Sequence, residues 1–372
     1  MNLLLILVLL LAPQGGGARK KAAALAGAPQ PFERVWRYET NALSGLRPGG
    51  DSTLVVVPLV DGKLVALNPI DGNLLWTADP GGEISASPLV TAESVVVATV
   101  RSGSDSQGVL RALDRGTGLA LWVRELAKPA VSDIVVANGM IYFGSSDGSI
   151  YAVRADSGAV VWAFATRGPV RGQILVHEDD ILVGSDDGAL YALDRQSGVE
   201  RWRIQTGGAI VGRPALTAKR LYVTSGDGVT TAADAASRKV LWRSRTGAAI
   251  EAGPVLVGDD ALLVASFDNF VYLLDARTGD RVWKRRLRGR IVSEPILGGP
   301  DRAIVAPLRD DRLTVLAVRD GNRVGAFALE PGDELVAPPL VTGGMLLLST
   351  DTGLLAARAV PQAKPATPAV GP

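Results

Sequence analysis

Along most of this chain the apolar residues come in short consecutive runs, not at helical spacing. Leu54–Leu59, Ser94–Val100, Met140–Gly144, Ile181–Gly184, Leu221–Thr224, Ala261–Ser266, Ala303–Leu308 and Met345–Ser349 are each rich in Val, Ile, Leu or Tyr and are bounded by Gly, Asp or Pro. Runs of that length with those borders read as strands. Because apolar residues often follow one another directly, both faces of these strands are expected to be covered. No long window carries a helical period, so the body is expected to be all-β.

A second pattern lies over the first. Tryptophan occurs at 36, 76, 122, 162, 202, 242 and 283, with gaps of 40, 46, 40, 40, 40 and 41 residues. A fixed period of about 40 residues marks a repeat architecture. Aligned backwards from the tryptophans, Ala-x-Asp-x-x-(Thr/Ser)-Gly-x-x-x-Trp recurs, as in Ala112, Asp114, Thr117, Gly118, Trp122 and in Ala192, Asp194, Ser197, Gly198, Trp202. The copies ending at Trp76 and Trp162 keep the Ala and the Gly. Arg238 replaces the Gly before Trp242, and Leu273 replaces the Ala before Trp283. In the last copy, after Asp320-Gly321, Gly325 takes the tryptophan's place and Phe327 is the candidate stand-in. Asp-x-x-Thr-Gly is turn chemistry, in which polar side chains hold the bend and Gly accepts a positive φ. The run into each tryptophan is then the outgoing arm of a hairpin.

Four strands per period, each sheet sandwiched between neighbours, make a β-propeller blade. In the third repeat the strands are expected at Val131–Val136, Met140–Gly144, Ser149–Arg154 and Ala159–Ala165. Ten residues after each aromatic from Trp76 to Phe327 the chain is small (Ala86, Ser132, Gly172, Gly212, Ala252, Ser293, Ala337), as crowding at a central axis requires. Trp36 has no inner strands before it, and 335–358 supplies three strands with no outer strand after them. Circular closure resolves both: the strand at 33–39 completes the last blade and removes a sheet edge. The expectation is an eight-bladed β-propeller of four-stranded, antiparallel, W-shaped blades over 33–360, closed by its N-terminal strand.

The docking motif in eight such blades resembles the quinoprotein (PQQ-repeat) propellers, and the resemblance covers nearly the whole folded body. It implies a fold more firmly than a function. That superfamily includes PQQ-dependent dehydrogenases, which are longer, roof a PQQ–calcium site with insertions and often carry a vicinal cysteine pair. It also includes the BamB-like scaffolds of outer-membrane protein assembly, which are not enzymes. This chain has no cysteine, and its longest obvious insertion is 101–108. It is therefore similar to the scaffold branch in size and plainness, while departing from it in lacking a lipid-anchoring cysteine. The resemblance implies a protein partner in the cell envelope, no cofactor and no enzymatic activity. PQQ with calcium is the alternative, and a sensor or carbohydrate-binding propeller is a third reading.

Composition narrows the field further. Hydrophobic residues make up 47% of 372, and the net charge is +1. A near-neutral globular chain argues against nucleic acid as the main partner. Residues 1–18 open with MNLLLILVLLLA, too short to span a bilayer, and read as a secretory signal peptide. Residues 19–32 read as a linker and 361–372 as a Pro/Ala tail. The mature protein is expected in the periplasm or secreted, as a monomer touching membrane only indirectly.

Candidate functional residues fall into four groups. The tryptophans, present in every repeat, are expected to dock neighbouring blades. Asp133, Arg171, Gln173, Arg213, Glu251 and Glu294 fall on or beside the inner strands and are candidates for one mouth of the central channel, where a small molecule or peptide would bind. Turn aspartates (Asp61, Asp105, Asp147, Asp187, Asp227, Asp268, Asp311, Asp351) would form an acidic ring, although Asp favours turns in any case. Arg281, Lys284, Arg285, Arg286, Arg288 and Arg290 form a basic strand and turn, either a solvated edge or a patch for an acidic partner. The single histidine, His177, sits in a turn and cannot by itself build a histidine metal site.

Overall fold

The computed structural model describes residues 32–101 and 106–360. The expected signal peptide, nearly all of the linker, Asp105 and the tail lie outside the described residues. Among the described residues the regular structure is strand throughout, arranged as eight antiparallel sheets in a ring. Each sheet is a blade, numbered here by its place along the chain. Blade 3 is representative: Val135–Ala137 lies innermost, then Met140–Gly144, Ser149–Arg154 and, outermost, Val160–Ala165. In blade 8, Leu340–Thr342, Met345–Thr350 and Gly353–Ala359 are followed outward by the N-terminal strand Phe32–Glu39. Trp36 pairs with Ala356 there, the register that Trp202 has with Ala192 in blade 4. The ring is therefore closed by chain from both ends.

The two middle strands of each blade carry the core. Ile141, Phe143, Ile150 and Ala152 of blade 3 are fully buried, as are Ile181, Val183 and Leu190 of blade 4. Each aliphatic side chain of that size contributes about 1.5–3 kcal/mol on burial. This explains the consecutive apolar runs: one face packs on the blade behind and the other on the blade ahead.

The innermost strands are shorter than the pattern suggested. Val131–Val136 was the expected extent in blade 3, yet only Val135–Ala137 pairs as strand. The residues before it bend across the end of the second strand. The amides of Val131 and Ser132 both donate to the Gly144 carbonyl, and the Gly144 amide donates to Ser132 Oγ. In blade 2 the inner strand is split into Glu83–Ile84 and Leu89–Val90. Where such bends from neighbouring blades meet they are crowded: a Cβ on Gly212 would lie 2.3 Å from the Gly253 backbone nitrogen, and one on Gly253 would lie 2.4 Å from the Arg213 carbonyl oxygen.

Every outer strand also carries a register shift at the same place. In blade 4, Ala192 pairs with Trp202 but Leu193 pairs with Glu200, leaving Arg201 unpaired. The same bulge precedes Trp76, Trp122, Trp162, Trp242, Trp283 and Trp36. A bulge adds twist and re-aims the side chain beside it, here toward the next blade.

Candidate functional site

Each tryptophan reaches from its outer strand onto the turn between the third and outer strands of the following blade. Trp162 is typical. Its Nε1 donates to the Arg195 carbonyl at 3.1 Å, and its ring lies on Gly198, where an added Cβ would stand 2.6 Å from Cδ2. Gly198 has φ +72, so both the conformation and the close approach require glycine. Trp36, Trp76, Trp122, Trp242 and Trp283 repeat the arrangement on the carbonyls of Pro69, Arg115, Ala155, Ala276 and Val318. The rings of all five lie on Gly72, Gly118, Gly158, Gly279 and Gly321. The motif Gly and the motif Trp are thus partners across a seam, one from each of two blades.

Two seams depart from this. Trp202 faces Arg238, the residue that replaced the glycine. Arg238 keeps the positive φ, at 61°, and stacks its guanidinium 4.3 Å from the ring centroid, while the indole N–H finds no partner among the described residues. The other departure is the closing seam between blades 7 and 8. Gly325 pairs with Val315 and so occupies the tryptophan position, while Phe327 stands two residues further along. The turn that would receive an indole does not exist in blade 8, because its third and outer strands are the two ends of the folded chain. Phe32 takes the register of the turn glycine instead, and its ring meets Phe327 edge-on at 5.9 Å. Large and small residues have changed sides. Arginines of the N-terminal strand add polar contacts: Arg37 pairs with Asp333 at 2.8 Å, and Arg34 pairs with Glu330 at 3.3 Å and donates to the Ala328 carbonyl.

The channel mouth gathers part of the set anticipated for it. A cavity of about 310 Å³ is lined by Asp133, Gln173, Glu251 and Glu294, with Ser87, Ser293 and Pro338. Arg171 and Arg213 do not line it. Arg171 turns to Asp186 at 2.8 Å, and the Arg213 backbone amide donates to the Gln173 side-chain oxygen. Arg47 does line it, paired with Asp133 at 3.1 Å. It comes from the stretch before blade 1, where no repeat-based spacing could have pointed to it. Burial pushes the Glu294 carboxyl above the ordinary range, only partly opposed by Arg213 and Arg47 and reinforced by Asp133. Its Oε1 has no hydrogen-bond partner among the described residues.

A quinone–calcium pair does not fit this mouth. A calcium ligand set needs several ionised oxygens free to converge. Here Asp133 is committed to Arg47, and among the described residues no three acidic or histidine side chains are grouped to hold a metal.

The turn aspartates mostly serve their own turns. Asp147, Asp187, Asp227 and Asp268 each accept a backbone N–H two residues on. Asp187 and Asp268 also accept amides from the preceding blade's exit, those of Arg167 and Gly247. Tyr191 and Tyr272 are pushed up to about 12 by burial and by donating to Asp187 and Asp268. These carboxylates are occupied in joining blades.

The basic strand divides in two. Arg285 belongs to a seam, its Nε donating to the Gly321 carbonyl at 2.6 Å and a terminal nitrogen to Asn322. Lys284 sits 4.8 Å from the Phe270 ring and Arg290 5.1 Å from that of Phe267. Arg281, Arg286 and Arg288 are exposed.

The architecture is that of the quinoprotein-type eight-bladed propellers, with Trp-on-Gly seams as its repeating joint. Comparison with known proteins makes the assignment narrower. The family model described as outer membrane protein assembly factor BamB matches residues 33–163, 146–250 and 227–358. The chain belongs to that family of PQQ-repeat propellers. It is 32% identical over 134 residues to the outer membrane protein assembly factor BamB of Shewanella oneidensis, covering 31% of this chain and 32% of that protein. The match thus spans about a third of that relative's length. Among solved structures, BamB from Moraxella catarrhalis superposes with a TM-score of 0.74 at 22% identity, over 88% of this chain and 97% of that one. A quinohemoprotein alcohol dehydrogenase from Pseudomonas putida HK5 superposes with a TM-score of 0.68 at 13% identity, over 94% and 79%. At those identities the two structures share the fold with this chain.

Proposed function

We propose that this propeller is an exported, non-enzymatic scaffold that works in outer-membrane protein assembly by binding a protein partner in the cell envelope. The observation that carries the reading is the continuous match of the BamB family model across all eight blades, 33–358. The plain build of the blades supports it, since the connections are short and the channel mouth disfavours a quinone–calcium pair. The exposed heads of Arg281, Arg286 and Arg288 are the proposed docking patch for an acidic surface. Their charges act over roughly a Debye length, about 8 Å at physiological salt.

The test is complementation in a Gram-negative strain lacking its own BamB, with the level of folded outer-membrane barrels as the readout. Restored levels are expected. Unrestored levels, with the protein exported and folded, would overturn the assignment. Changing Arg281, Arg286 and Arg288 together to Glu should leave the fold intact, because exposed charges contribute little to stability, and should lower the restored level. Arg285 is excluded from this triple because it holds a seam.

A further inference from the structure

The closing seam contains a cavity that the other seams fill. It measures about 260 Å³ and is lined by Phe32, Ile304, Val315, Ala359 and Val360, with Asp301 and Arg302 at the rim. Val315 is the strand partner of Gly325, so the cavity opens where an indole would stand in an ordinary seam. Ala359 holds the register of Arg195: Arg358 pairs with Met345 as Asp194 pairs with Asp180. In blade 4 it is the Arg195 carbonyl that receives the Trp162 N–H. Phe32 supplies an aromatic wall in place of glycine and is itself packed edge-on against Phe327. The chain therefore builds six seams that hold an indole between an apolar wall and a third-strand carbonyl, then repeats the wall and the carbonyl without the ring.

We propose that this cavity is a binding site for a small planar aromatic molecule carrying an N–H donor, of the indole class. The ring enters between Ile304, Val315 and Phe32, and its N–H points to the Ala359 carbonyl. Apolar cavities of about 150 Å³ already take up benzene, so the volume is sufficient. Asp301 and Arg302 lie at the entrance, and a ligand bearing a polar substituent would place it there. Because the site spans blades 7 and 8, occupancy ties the last blade to its neighbour. A ligand that binds the folded chain alone raises its apparent stability by mass action, so closure of the ring becomes linked to the ligand.

The experiment uses the full chain and 5-fluoroindole, followed by fluorine NMR, with thermal unfolding in parallel. A saturable bound signal and a ligand-dependent rise in melting temperature are expected for the wild type. Gly325→Trp installs the chain's own indole; it should raise the melting temperature without ligand and weaken 5-fluoroindole binding by at least about tenfold, which corresponds to 1.4 kcal/mol. Ile304→Trp, which fills the cavity from the opposite wall, provides the same readout if Gly325→Trp does not fold. N-acetyltryptophanamide tests whether a peptide-borne ring is accepted; binding of it alone, without free indole, would overturn a small-molecule site in favour of a docking pocket. Absence of saturable binding to the wild type, or equal binding to both filled variants, would overturn the proposal.

Discussion

The seam between blades 3 and 4 and the seam between blades 7 and 8 do the same job with opposite chemistry. In the first, Trp162 lies on Gly198 and donates to the Arg195 carbonyl, an apolar joint locked by one hydrogen bond. In the second, Gly325 holds the tryptophan register and Phe32 the glycine register, Phe327 meets Phe32 edge-on, and Arg34 and Arg37 reach back to Glu330 and Asp333. The difference follows from covalent connectivity. A tryptophan can dock only where a continuous turn presents a glycine and a carbonyl. Blade 8 joins its third and outer strands through hydrogen bonds alone, so its seam must be held by side chains of the strand that arrives from the other end of the chain. The lesson is that a closed ring of near-identical repeats has one joint that cannot be identical, and that charge and cavity collect there.

The largest expected effect comes from removing that joint altogether. Deleting Phe32–Glu39 leaves Gly353–Ala359 as an unpaired edge with buried apolar neighbours, and such edges template aggregation. Size-exclusion chromatography and a thermal melt should show association and loss of the cooperative transition. A deletion variant as monomeric and stable as the parent would remove the basis for treating closure as essential.

Next come the ordinary seams. Trp162→Ala should cost about 3–5 kcal/mol in urea unfolding, the range for an aromatic lost from a core. Trp202→Ala should cost less, because Trp202 lacks the hydrogen bond and rests on Arg238 instead of glycine. Equal losses would show that the hydrogen bond and the glycine contact add nothing to the joint.

The closing seam should differ from the others in its response to acid. Burial works against the Asp333 carboxylate, but Arg37 and Thr352 outweigh it and hold its pKa below the usual 3.8. A carboxyl depressed in the folded state contributes stability that is present above its unfolded value and is lost as pH falls through the folded one. Asp333→Asn should therefore destabilise by about 3 kcal/mol near neutrality, the scale for breaking a buried pair, and less at strongly acid pH. A constant difference between variant and parent from neutral pH to pH 2 would show that the pair does not set the acid response of this seam.

The smallest effect concerns Arg238. Its positive φ is unfavourable for a side-chain residue by about 1–2 kcal/mol, while stacking on Trp202 returns about 0.5–1 kcal/mol. Arg238→Ala keeps the strain and loses the stacking, so it should be the least stable of three. Arg238→Gly should match or slightly exceed the parent. Ala above Gly in a melting series would mean that the backbone at this turn is not strained.

The period of about 40 residues, the consecutive apolar runs and the spacing of Ala, Asp, Gly and Trp determined the eight blades, the closure and the middle strands. They could do so because each repeat solves the same local problem, covering both faces of a sheet and turning on a glycine, and a solution repeated along the chain is visible along the chain. Tertiary structure alone decided how those residues meet. That Gly198 serves Trp162, 36 residues earlier, and not Trp202 four residues later depends on blade following blade in space. That Arg47 reaches Asp133, that Arg285 belongs to a seam while Arg286 is exposed, and that Gly325 and Phe32 exchange large for small are contacts between residues far apart in sequence. Only the Arg285 contact has a counterpart, Arg124 on the Gly158 carbonyl, and a periodic pattern carries no information about the one place where the period must fail.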